Sequence, residues 1–460
     1  MSKSIEPTAN LYLNAADIAS LKTKGVQYLL PQFADIHGVA KGKLIPIDQW
    51  RSLISPGAGF AGPSIWGTGL GRVGDYAEYY GRSTADTPLQ QLPWQPDVAR
   101  VVVSGYANSQ PLPACSRQTL LRQVKALADL GCGLNVGIEP EFFITKGGRF
   151  EANNLELNDA QDTLDKPSYD LKALFKHPSY GVITALHQSL SQLGFDVVQI
   201  DHEDAPGQYE INYTYEQALG AADRFMLFKL AAQGVAEQAG QTVSFMPKPF
   251  ADRPGSGLHF HLSLCNVDGS DLKALASANP LLNQPMLHAM GGLLHHARAL
   301  CALHAPTVNS YKRLVIGGSQ SGTTWAPAHV AYGYNNRTCV GRSLAGRFEW
   351  RLPDPSTNIY LALAGVIAAM IAGIQGKITP PPSVDADLYT WTPAQIKAAG
   401  IAQLPQNLGE AVAALLADAV LCKAIGADIC HEFVAIKSDE WIDYSRHVSA
   451  WELARYGHMF

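Results

Sequence analysis

Two short motifs along the chain pair residues that can bind a hard metal ion, and each lies inside an apolar stretch. The first is Glu139-Pro-Glu141, within residues 136–144, which are rich in β-branched and aromatic side chains typical of a strand. The second is His259-Phe-His261. Side chains two positions apart on a strand point to the same face, so each pair would project together. One such pair alone often marks a solvated face, so the prediction of a metal site depends on these pairs occurring together with a third group of carboxylates.

A third group, Glu203 and Glu210, flanks the turn signal Pro206-Gly207. If that dipeptide closes a hairpin, the two carboxylates face each other, with Cβ atoms roughly 5 Å apart. Pro-Gly is not the preferred two-residue hairpin turn, so other registers stay open. Carboxylates on apolar strands cost on the order of several kcal/mol each to bury unless they bind cations. Oxygen ligands with one or two imidazoles suit Mg²⁺ or Mn²⁺ better than a structural zinc.

Composition describes an ordinary globular protein of more than one domain. The chain has 460 residues, a length that exceeds the usual size of one core. Of these residues 47% are hydrophobic and 16% are charged, as in globular proteins. A net charge of −5 without a dense Lys/Arg block argues against nucleic acid or an anionic membrane as partner. Seven scattered cysteines without a CxxC fit the reduced thiols of a cytoplasmic protein.

The order of elements predicts a boundary between an N-terminal domain, 1–112, and a second domain, 113–460. A Pro-rich linker covers 110–116, and Ser116 is a candidate cap for a helix at 118–130. The uncharged run 359–374 is short for a membrane span and predicts a buried helix. No apolar segment of a signal peptide follows Met1. Further helices are predicted at the following positions: 180–193, 216–239, 284–303, 408–425 and 429–455.

Arginines are concentrated in the last strands of the second domain. Between residues 337 and 351 the sequence places four of them near a carboxylate: Arg337, Arg342, Arg347, Arg351 and Glu349. The planar guanidinium group matches carboxylate and phosphate oxygens. Cations beside a carboxylate-bound metal pair form a site for phosphoryl transfer from ATP. No Walker loop or protein-kinase motif set is present, so the fold must be another one.

The chain resembles the glutamine synthetase family over nearly its whole length. The motifs that carry this resemblance are Glu139-Pro-Glu141-Phe, Glu203-x-Ala-x-Gly-Gln-x-Glu210, Met246-Pro-Lys-Pro-Phe250, Gly255-Ser-Gly-Leu-His259-Phe-His261, Asn309-Ser-Tyr-Lys-Arg-Leu and Arg351-Leu-Pro-Asp-Pro. The resemblance implies an α+β protein: a β-grasp N-terminal domain, then a catalytic domain with a curved antiparallel sheet flanked by helices. It also implies a dodecamer of two stacked hexagonal rings, with active sites between neighbouring subunits.

The resemblance also implies roles for individual residues. The metal ligands would form two sets, the first Glu141, Glu203 and Glu210, the second Glu139, His259 and Glu349. Glutamate would be bound by Arg313, Arg351 and Gly255. ATP would be contacted by His261, Ser263, Arg337, Arg342 and Arg347. Asp35, lent by a neighbouring subunit, Arg337 and Ser319 would serve catalysis.

Three departures from the family pattern concern the amine substrate. Ammonia-using members carry a flap written Pro-Gly-Tyr-Glu-Ala-Pro, whereas residues 316–327 are longer and lack that glutamate. The family's Asn-Gly-Ser-Gly becomes Pro254-Gly-Ser-Gly257, and an Asp-Gly-Ser-Ser loop is replaced by residues 59–67, with Phe60 and Trp66. These segments resemble the γ-glutamylmethylamide synthetase branch, also called type III glutamine synthetase. An alkylamine needs apolar room that an ammonium ion does not.

The resemblance therefore implies ATP-dependent ligation of glutamate to a small amine through a γ-glutamyl phosphate, with methylamine favoured. Roughly two or three Mg²⁺ or Mn²⁺ ions would assist. The alternatives are a glutamine synthetase using ammonia, a ligase for isopropylamine, aniline or a polyamine, and a catalytically dead paralogue. Tyr389 matches a region that is adenylylated in some synthetases, but its flanking residues differ.

Overall fold

The N-terminal strands form two small sheets. A computed structural model describes residues 13–74, 77–84, 87–147, 168–175, 178–270, 272, 282–315 and 325–460. Its first elements are α1 Ala15–Thr23, β1 Tyr28–Ala34, β2 Ala40–Gly42, β3 Ile45–Pro46, β4 Ala58–Ala61, β5 Glu78–Arg82, β6 Leu89–Leu92, β7 Gln95–Val102, β8 Ser104–Ala107 and β9 Gln110–Pro111. The first sheet runs β2-β1-β7-β6, with β3 also on β1, and the second runs β4-β5-β8-β9. Because β1 and β7 are parallel, the first sheet is mixed, which agrees with the α+β expectation.

The remaining strands build one nine-stranded sheet. They are β10 Gly133–Lys146, β11 Val197–His202, β12 Gln208–Tyr213, β13 Glu216–Gln217, β14 Gln241–Ser244, β15 Leu258–Cys265, β16 Tyr332–Tyr334, β17 Gly341–Leu344 and β18 Arg347–Trp350. The order is β11-β12-β10-β15-β18-β17-β16, with β13 and β14 also on β10. All pairs are antiparallel except β16 with β17, so the predicted antiparallel sheet is confirmed apart from that parallel edge.

Helices surround this sheet. They are α2 Ser116–Ala128, α3 Leu171–Phe175, α4 Ser179–Gln192, α5 Ala218–Gln238, α6 Gln284–His295, α7 Ala297–His304, α8 Ser310–Arg313, α9 Ile359–Gly376, α10 Pro393–Ala398, α11 Leu408–Ala417, α12 Ala419–Ile425, α13 Ala427–Arg446 and α14 Ala450–Tyr456. Short 3₁₀ helices cover Ile47–Leu53, Gly62–Ser64 and Leu388–Thr390.

Helix α9 is the centre of the main core. In the part of the chain that the structure describes, it is the one helix long and apolar enough to cross a membrane, but 72% of it is buried inside the fold. It packs against α2, α5, α6 and α7. The buried helix predicted for residues 359–374 is therefore confirmed.

Several predicted helix boundaries are wrong. Ser116 does not cap α2: Cys115 occupies the cap position, and the Ser116 hydroxyl points towards the Ala34 carbonyl. The helix predicted for 408–425 breaks at Asp418, whose side chain accepts the Leu421 N–H and starts a new helix. The predicted end at residue 425 is confirmed, because at Gly426 the backbone has φ +105°, a conformation that favours glycine and ends α12. The predicted helix 284–303 likewise divides at residue 296, and 429–455 divides after α13.

Candidate active site

The predicted metal ligands lie on neighbouring strands of the large sheet. Three cross-strand pairs bring them together: Glu139 with His259, His261 with Glu349, and Glu141 with Glu210. Because residues two apart on a strand share a face, these side chains project from one side of the sheet. The strand alternation predicted from the sequence is confirmed for both motifs.

The register predicted for the hairpin between Glu203 and Glu210 is wrong. Glu210 pairs with Asp201, and the Glu203 N–H donates to the Gln208 carbonyl at 2.8 Å. The turn covers residues 205–208, because Gly207 has φ +70° and the Gln208 N–H bonds back to residue 205. Glu203 therefore lies just past the end of β11 instead of directly opposite Glu210.

His259 is surrounded by carboxylates. Its Nδ1 lies 3.5 Å from Glu139 Oε2 and 3.7 Å from Glu349 Oε1, and its Nε2 lies 3.9 Å from Glu141 Oε1. His261 Nε2 lies 2.8 Å from Glu139 Oε1. Among the residues that the structure describes, two sets offer ligand atoms within 4.8 Å of one another: Glu139, His261 and Glu349; and Glu139, Glu210 and His259. Glu139 reaches both sets, so the division of ligands implied by the family resemblance stays a prediction.

We refer to the six predicted metal ligands as the ligand floor: Glu139, Glu141, Glu203, Glu210, His259 and Glu349. The electrostatics of this ligand floor fit a divalent cation. Burial raises the pKa of Glu203 to about 8, and the charges of Glu141 and Asp204 add to that rise. Burial, followed by the charges of Glu139, Glu141 and Glu203, raises the pKa of Glu210 well above its ordinary value. Carboxylates that resist ionisation in this way are held charged by a nearby cation. The oxygen-rich set with imidazole nitrogens therefore fits Mg²⁺ or Mn²⁺.

Glu349 differs from those carboxylates because arginines neutralise it. Arg342 donates to its Oε2 at 2.6 Å, and Arg351 forms an ion pair with its Oε1. Burial raises the pKa of Glu349, but Arg351 and His259 lower it by more, so the pKa lies well below the usual range. Arg313 donates to the backbone carbonyls of residues 351 and 352 at 3.2 and 3.1 Å. The two predicted glutamate-binding arginines are therefore neighbours and both buried.

One cavity opens beside the ligand floor at β15 and β18. It has a volume of about 400 Å³, and its lining includes the predicted nucleotide residues His261, Ser263 and Arg347, together with Asn212 and Tyr215. Arg347 Nε donates to His261 Nδ1 at 3.0 Å, so the proton of a neutral His261 ring lies on Nε2, facing Glu139. Arg347 itself is exposed.

Arg337 stands apart from that cavity, exposed on the turn between β16 and β17. Burial and then the charge of Glu203 raise the pKa of Tyr169, and the charge of Arg337 opposes that rise in part. Arg342, in contrast, contacts the predicted metal ligand Glu349. Its guanidinium group also donates to Asn335 Oδ1 at 2.9 Å.

A second, smaller cavity lies on the other side of the floor. Its lining includes Gly255, Gly257, Arg313 and Trp325, beside the predicted metal ligands Glu141, Glu203 and His259. At Gly257 a Cβ would lie 2.8 Å from His259 Nε2, 2.9 Å from an Arg313 nitrogen and 3.0 Å from Glu141 Oε1. Only a glycine leaves room for those three side chains to converge.

Two residues of this cavity were not predicted. Gln208 Nε2 donates to Glu141 Oε2 at 3.3 Å and to the Gly255 carbonyl at 3.2 Å. Trp325 Nε1 donates to Asp204 Oδ2 at 3.1 Å, and its carbonyl accepts from Arg351 at 3.1 Å. The sequence held signals for both, since Gln208 is the conspicuous Gln of the Gly-Gln-x-Glu motif and Trp325 directly precedes the Ala-Pro that ends the flap.

The residues predicted to contact the amine do not lie together in either cavity. Asp35 is buried in the N-terminal region, where its Oδ1 accepts the N–H groups of His37 and Val39 at 3.0 Å each, and it lines neither cavity described above. Phe60 packs against Phe33, with ring centres 5.0 Å apart, whereas Trp66 is 63% exposed. Ser319 lies outside the described residues.

Carboxylates and histidines between two cavities, each with an arginine in its lining, form the arrangement expected of a metal-dependent enzyme of phosphoryl transfer. Comparison with known proteins specifies its family. Residues 113–456 match the model of the glutamine synthetase catalytic domain. The glutamate–methylamine ligase of Methyloversatilis universalis is 44% identical over 96% of this chain and 98% of its own length. The glutamine synthetase of Rhizobium leguminosarum bv. phaseoli is 36% identical over 95% of this chain and 98% of its own.

Comparison with solved structures supports the same family. A GmaS/ADP complex (conformation 1) superposes with a TM-score of 0.86 at 35% identity, covering 95% of this chain and 98% of that one. Apo GmaS without ligand also gives a TM-score of 0.86, over 97% and 99% of the two chains. The chain belongs to the glutamine synthetase family. It is an ATP-dependent ligase that forms C–N bonds, as the sequence predicted.

Proposed function

We propose that this enzyme joins glutamate to methylamine, giving γ-glutamylmethylamide, ADP and phosphate. The observation that carries the proposal is the 44% identity, over 96% of the chain, to a glutamate–methylamine ligase. The two clusters of carboxylate and histidine ligand atoms support an active enzyme over a catalytically dead paralogue. A specific observation also favours a second candidate, glutamine synthetase, because a rhizobial enzyme of that name is 36% identical.

Glutamate is assigned to the smaller cavity. Arg313 and Arg351 are both buried, and Arg351 already holds the Glu349 carboxylate, so this region suits anions. Gly255 lines the same cavity and leaves backbone within reach of a ligand. In this arrangement the γ-carboxylate of glutamate points towards the ligand floor.

ATP is assigned to the larger cavity, whose lining supplies His261, Ser263 and Arg347 as phosphate and nucleotide contacts and Tyr215 as an exposed aromatic surface. Arg342, which holds Glu349 outside that lining, is assigned to the phosphates as well. The floor residues Glu139, Glu141, Glu203, Glu210, His259 and Glu349 would hold roughly two or three Mg²⁺ or Mn²⁺ ions. Such ions neutralise phosphate charge as it develops.

The reaction has two steps. The γ-carboxylate oxygen of glutamate attacks the terminal phosphorus of ATP, and ADP leaves, which gives a γ-glutamyl phosphate. The neutral amine nitrogen then attacks the γ-carbonyl carbon, phosphate leaves, and the amine proton passes to a carboxylate. Arg337 is assigned to charge neutralisation during the second step.

The amine site is assigned to the contact between two copies of the chain. Asp35 lines neither cavity of its own chain, and it lies beside His37, whose ring centre is 6.1 Å from that of the exposed Trp66. Asp35 of a neighbouring subunit would accept the proton of the incoming alkylammonium ion. Trp325 would complete the pocket, with its indole face as apolar surface for a methyl group.

This arrangement requires an oligomer, and a cytoplasmic dodecamer of two hexameric rings is the form we infer. Light scattering of the purified protein tests it: a large ring oligomer is expected, and a fully active monomer would contradict a shared site.

The reaction itself is tested by incubating the purified enzyme with ATP, Mg²⁺, glutamate and methylamine. ADP and γ-glutamylmethylamide should form in equal amounts, as measured by mass spectrometry. If neither methylamine, ammonia nor a bulkier amine supports ADP release, the chain is a dead paralogue and the proposal is wrong.

A further inference from the structure

Asn358 joins the loop that carries Asp35 to the start of the core helix α9. Its Nδ2 donates to the Asp35 carbonyl at 2.8 Å and reaches the Ile36 carbonyl at 3.3 Å. Its Oδ1 accepts the N–H groups of Tyr360 and Leu361 at 3.1 and 3.3 Å, as a helix cap does. The residue is 2% exposed, so water does not compete for these bonds.

The Asp35 loop also rests directly on the backbone around Asn358. Gly38 has φ +78°, and a Cβ there would lie 2.7 Å from Asn358 Cα and 2.9 Å from the Thr357 carbonyl oxygen. Thr357 is itself fixed, because its hydroxyl donates to the Leu303 carbonyl at 2.6 Å. The loop thus takes its position from the catalytic region of its own chain.

The side chain of Asp35 is oriented by the same loop. His37 and Val39 donate their N–H groups to its Oδ1 at 3.0 Å each, which leaves Oδ2 near Lys41 Nζ at 3.4 Å. Backbone carbonyls on one side and backbone N–H groups on the other therefore define where this carboxylate points. The Asn358 amide is the side chain that anchors the carbonyl side of the loop.

We propose that Asn358 is a positioning residue for the Asp35 that each subunit lends to its neighbour's amine site. This inference rests on the proposed function, in which Asp35 acts in the adjacent subunit. A displacement of about 1 Å at a reacting group can cost about 100-fold in rate, so the loss of one anchor is expected to be measurable. Asn358 acts through Asp35 and touches neither substrate.

Mixed oligomers separate this role from a general structural one. Glu141→Ala subunits lack a working ligand floor but lend an intact Asp35, whereas Asp35→Asn subunits keep the floor but lend no carboxylate. Oligomers assembled from both, carrying different affinity tags, should regain activity in sites that combine the two intact halves. Asn358→Ser is then introduced either into the lending subunit or into the subunit that keeps the floor.

Serine keeps an oxygen that caps α9 but removes the amide that reaches Asp35. In the lending subunit, Asn358→Ser should lower the regained kcat/KM for the amine at least about tenfold. In the subunit that keeps the floor, Asn358→Ser should change the regained kcat/KM by less than about twofold. Asn407→Ser, which alters the cap of α11 and whose side chain bonds to Glu410 and not to this loop, is the matched control and should have no effect in either place.

Equal losses from both placements, or no loss in the lending subunit, would overturn the positioning role while leaving the shared site intact. No regained activity in mixed oligomers that form normally would contradict the shared site itself, and the role of Asn358 with it. If Asn358→Ser subunits fail to assemble, Asn358→Asp replaces them, because it keeps the cap oxygens and exchanges the amide donor for an oxygen that repels both carbonyls. The results expected for Asn358→Asp, and those that would contradict the proposal, are the same as for Asn358→Ser.

Discussion

Glu141 and Glu210 stand directly opposite each other on neighbouring antiparallel strands, so two carboxylates project side by side from the cleft floor. Like charges in this position destabilise a sheet. Burial above all, and then the charges of Glu139 and Glu141, raise the pKa of Glu210 well above its ordinary value. A divalent cation held between them would turn the repulsion into attraction.

The first prediction follows from this pair: metal should stabilise the protein, and removal of one charge should stabilise the metal-free form. Adding Mg²⁺ at about 100 times its Kd should raise the free energy of unfolding by about 3 kcal/mol. Glu210→Gln should raise the melting temperature in EDTA, shrink the shift caused by Mg²⁺ and lower turnover at least about 1,000-fold. Differential scanning fluorimetry and ADP release measure these effects.

Glu237→Gln is the control for that experiment, because Glu237 is an exposed residue of α5 outside the ligand floor. It should behave as the unchanged enzyme does in all three measurements. Turnover of Glu210→Gln within about threefold of the unchanged enzyme would refute the metal assignment.

The second prediction concerns Gly257. An added methyl group would lie within 3.0 Å of atoms from His259, Arg313 and Glu141, so these side chains must move apart. Gly257→Ala should lower kcat about 100-fold while circular dichroism stays unchanged. Gly181→Ala in α4 is the matched control, since nothing lies within 4 Å of a Cβ there, and it should leave kcat unaltered. Comparable activity in both variants would argue against close convergence at Gly257.

Strand periodicity explains how much of the site could be read from the sequence. Glu139 and Glu141 are two positions apart on a strand, and so are His259 and His261. Each pair therefore shares a face of the sheet whichever strand lies beside it, and this could be predicted. The hairpin register was not, because it depends on which residue pair closes the turn around Gly207. A shift of two residues keeps each side chain on its face, so the apolar pattern could not decide between the registers.

Long-range contacts account for what the sequence did not reveal. Trp325 reaches the site through a bond to Asp204, and Gln208 through bonds to Glu141 and Gly255, and no local pattern encodes those partners. The helix break at Asp418 escaped prediction for a related reason, whereas the predicted helices 408–425 and 429–455 already left Gly426 between them. The capping role of Asp418 depends on how α11 and α12 pack, which the local pattern does not show.

A third prediction concerns acid stability and rests on His304, which is fully buried. Trp350 donates to its Nδ1 at 3.1 Å and its Nε2 faces the Ala362 carbonyl at 3.2 Å, which requires the neutral ring. Burial lowers its pKa to about 4, below the ordinary 6.5. Between those values the unfolded chain binds more protons, so the free energy of unfolding should fall by about 3 kcal/mol as pH falls from 6.5 to 4.

Urea unfolding of the unchanged protein and of His304→Gln at several pH values measures this effect. The variant should show a flatter pH dependence across that interval. His187→Gln, at an exposed position of α4, should retain the original slope. If His304→Gln also retains it, another group causes the acid lability.

The fourth prediction concerns the indole of Trp325, which is half exposed in the smaller cavity. If its face packs against the methyl group of the amine, Trp325→Ala should lower kcat/KM for methylamine about five- to tenfold more than kcat/KM for ammonia, since one buried methyl contributes about 1 kcal/mol. Trp50→Ala, in the N-terminal region away from both cavities, is the control. An equal loss for the two amines would indicate a structural role only.

Amine preference tests the proposed function most directly. Initial rates of phosphate release should be measured with ATP and glutamate across a panel of amines, with concentrations expressed as free base because these amines are mostly protonated at neutral pH. We predict that kcat/KM for methylamine exceeds that for ammonia by at least about tenfold. A higher value for isopropylamine or aniline would keep the reaction class but require a larger pocket. If ammonia equals or surpasses methylamine, the enzyme is a glutamine synthetase and the assignment of methylamine is contradicted.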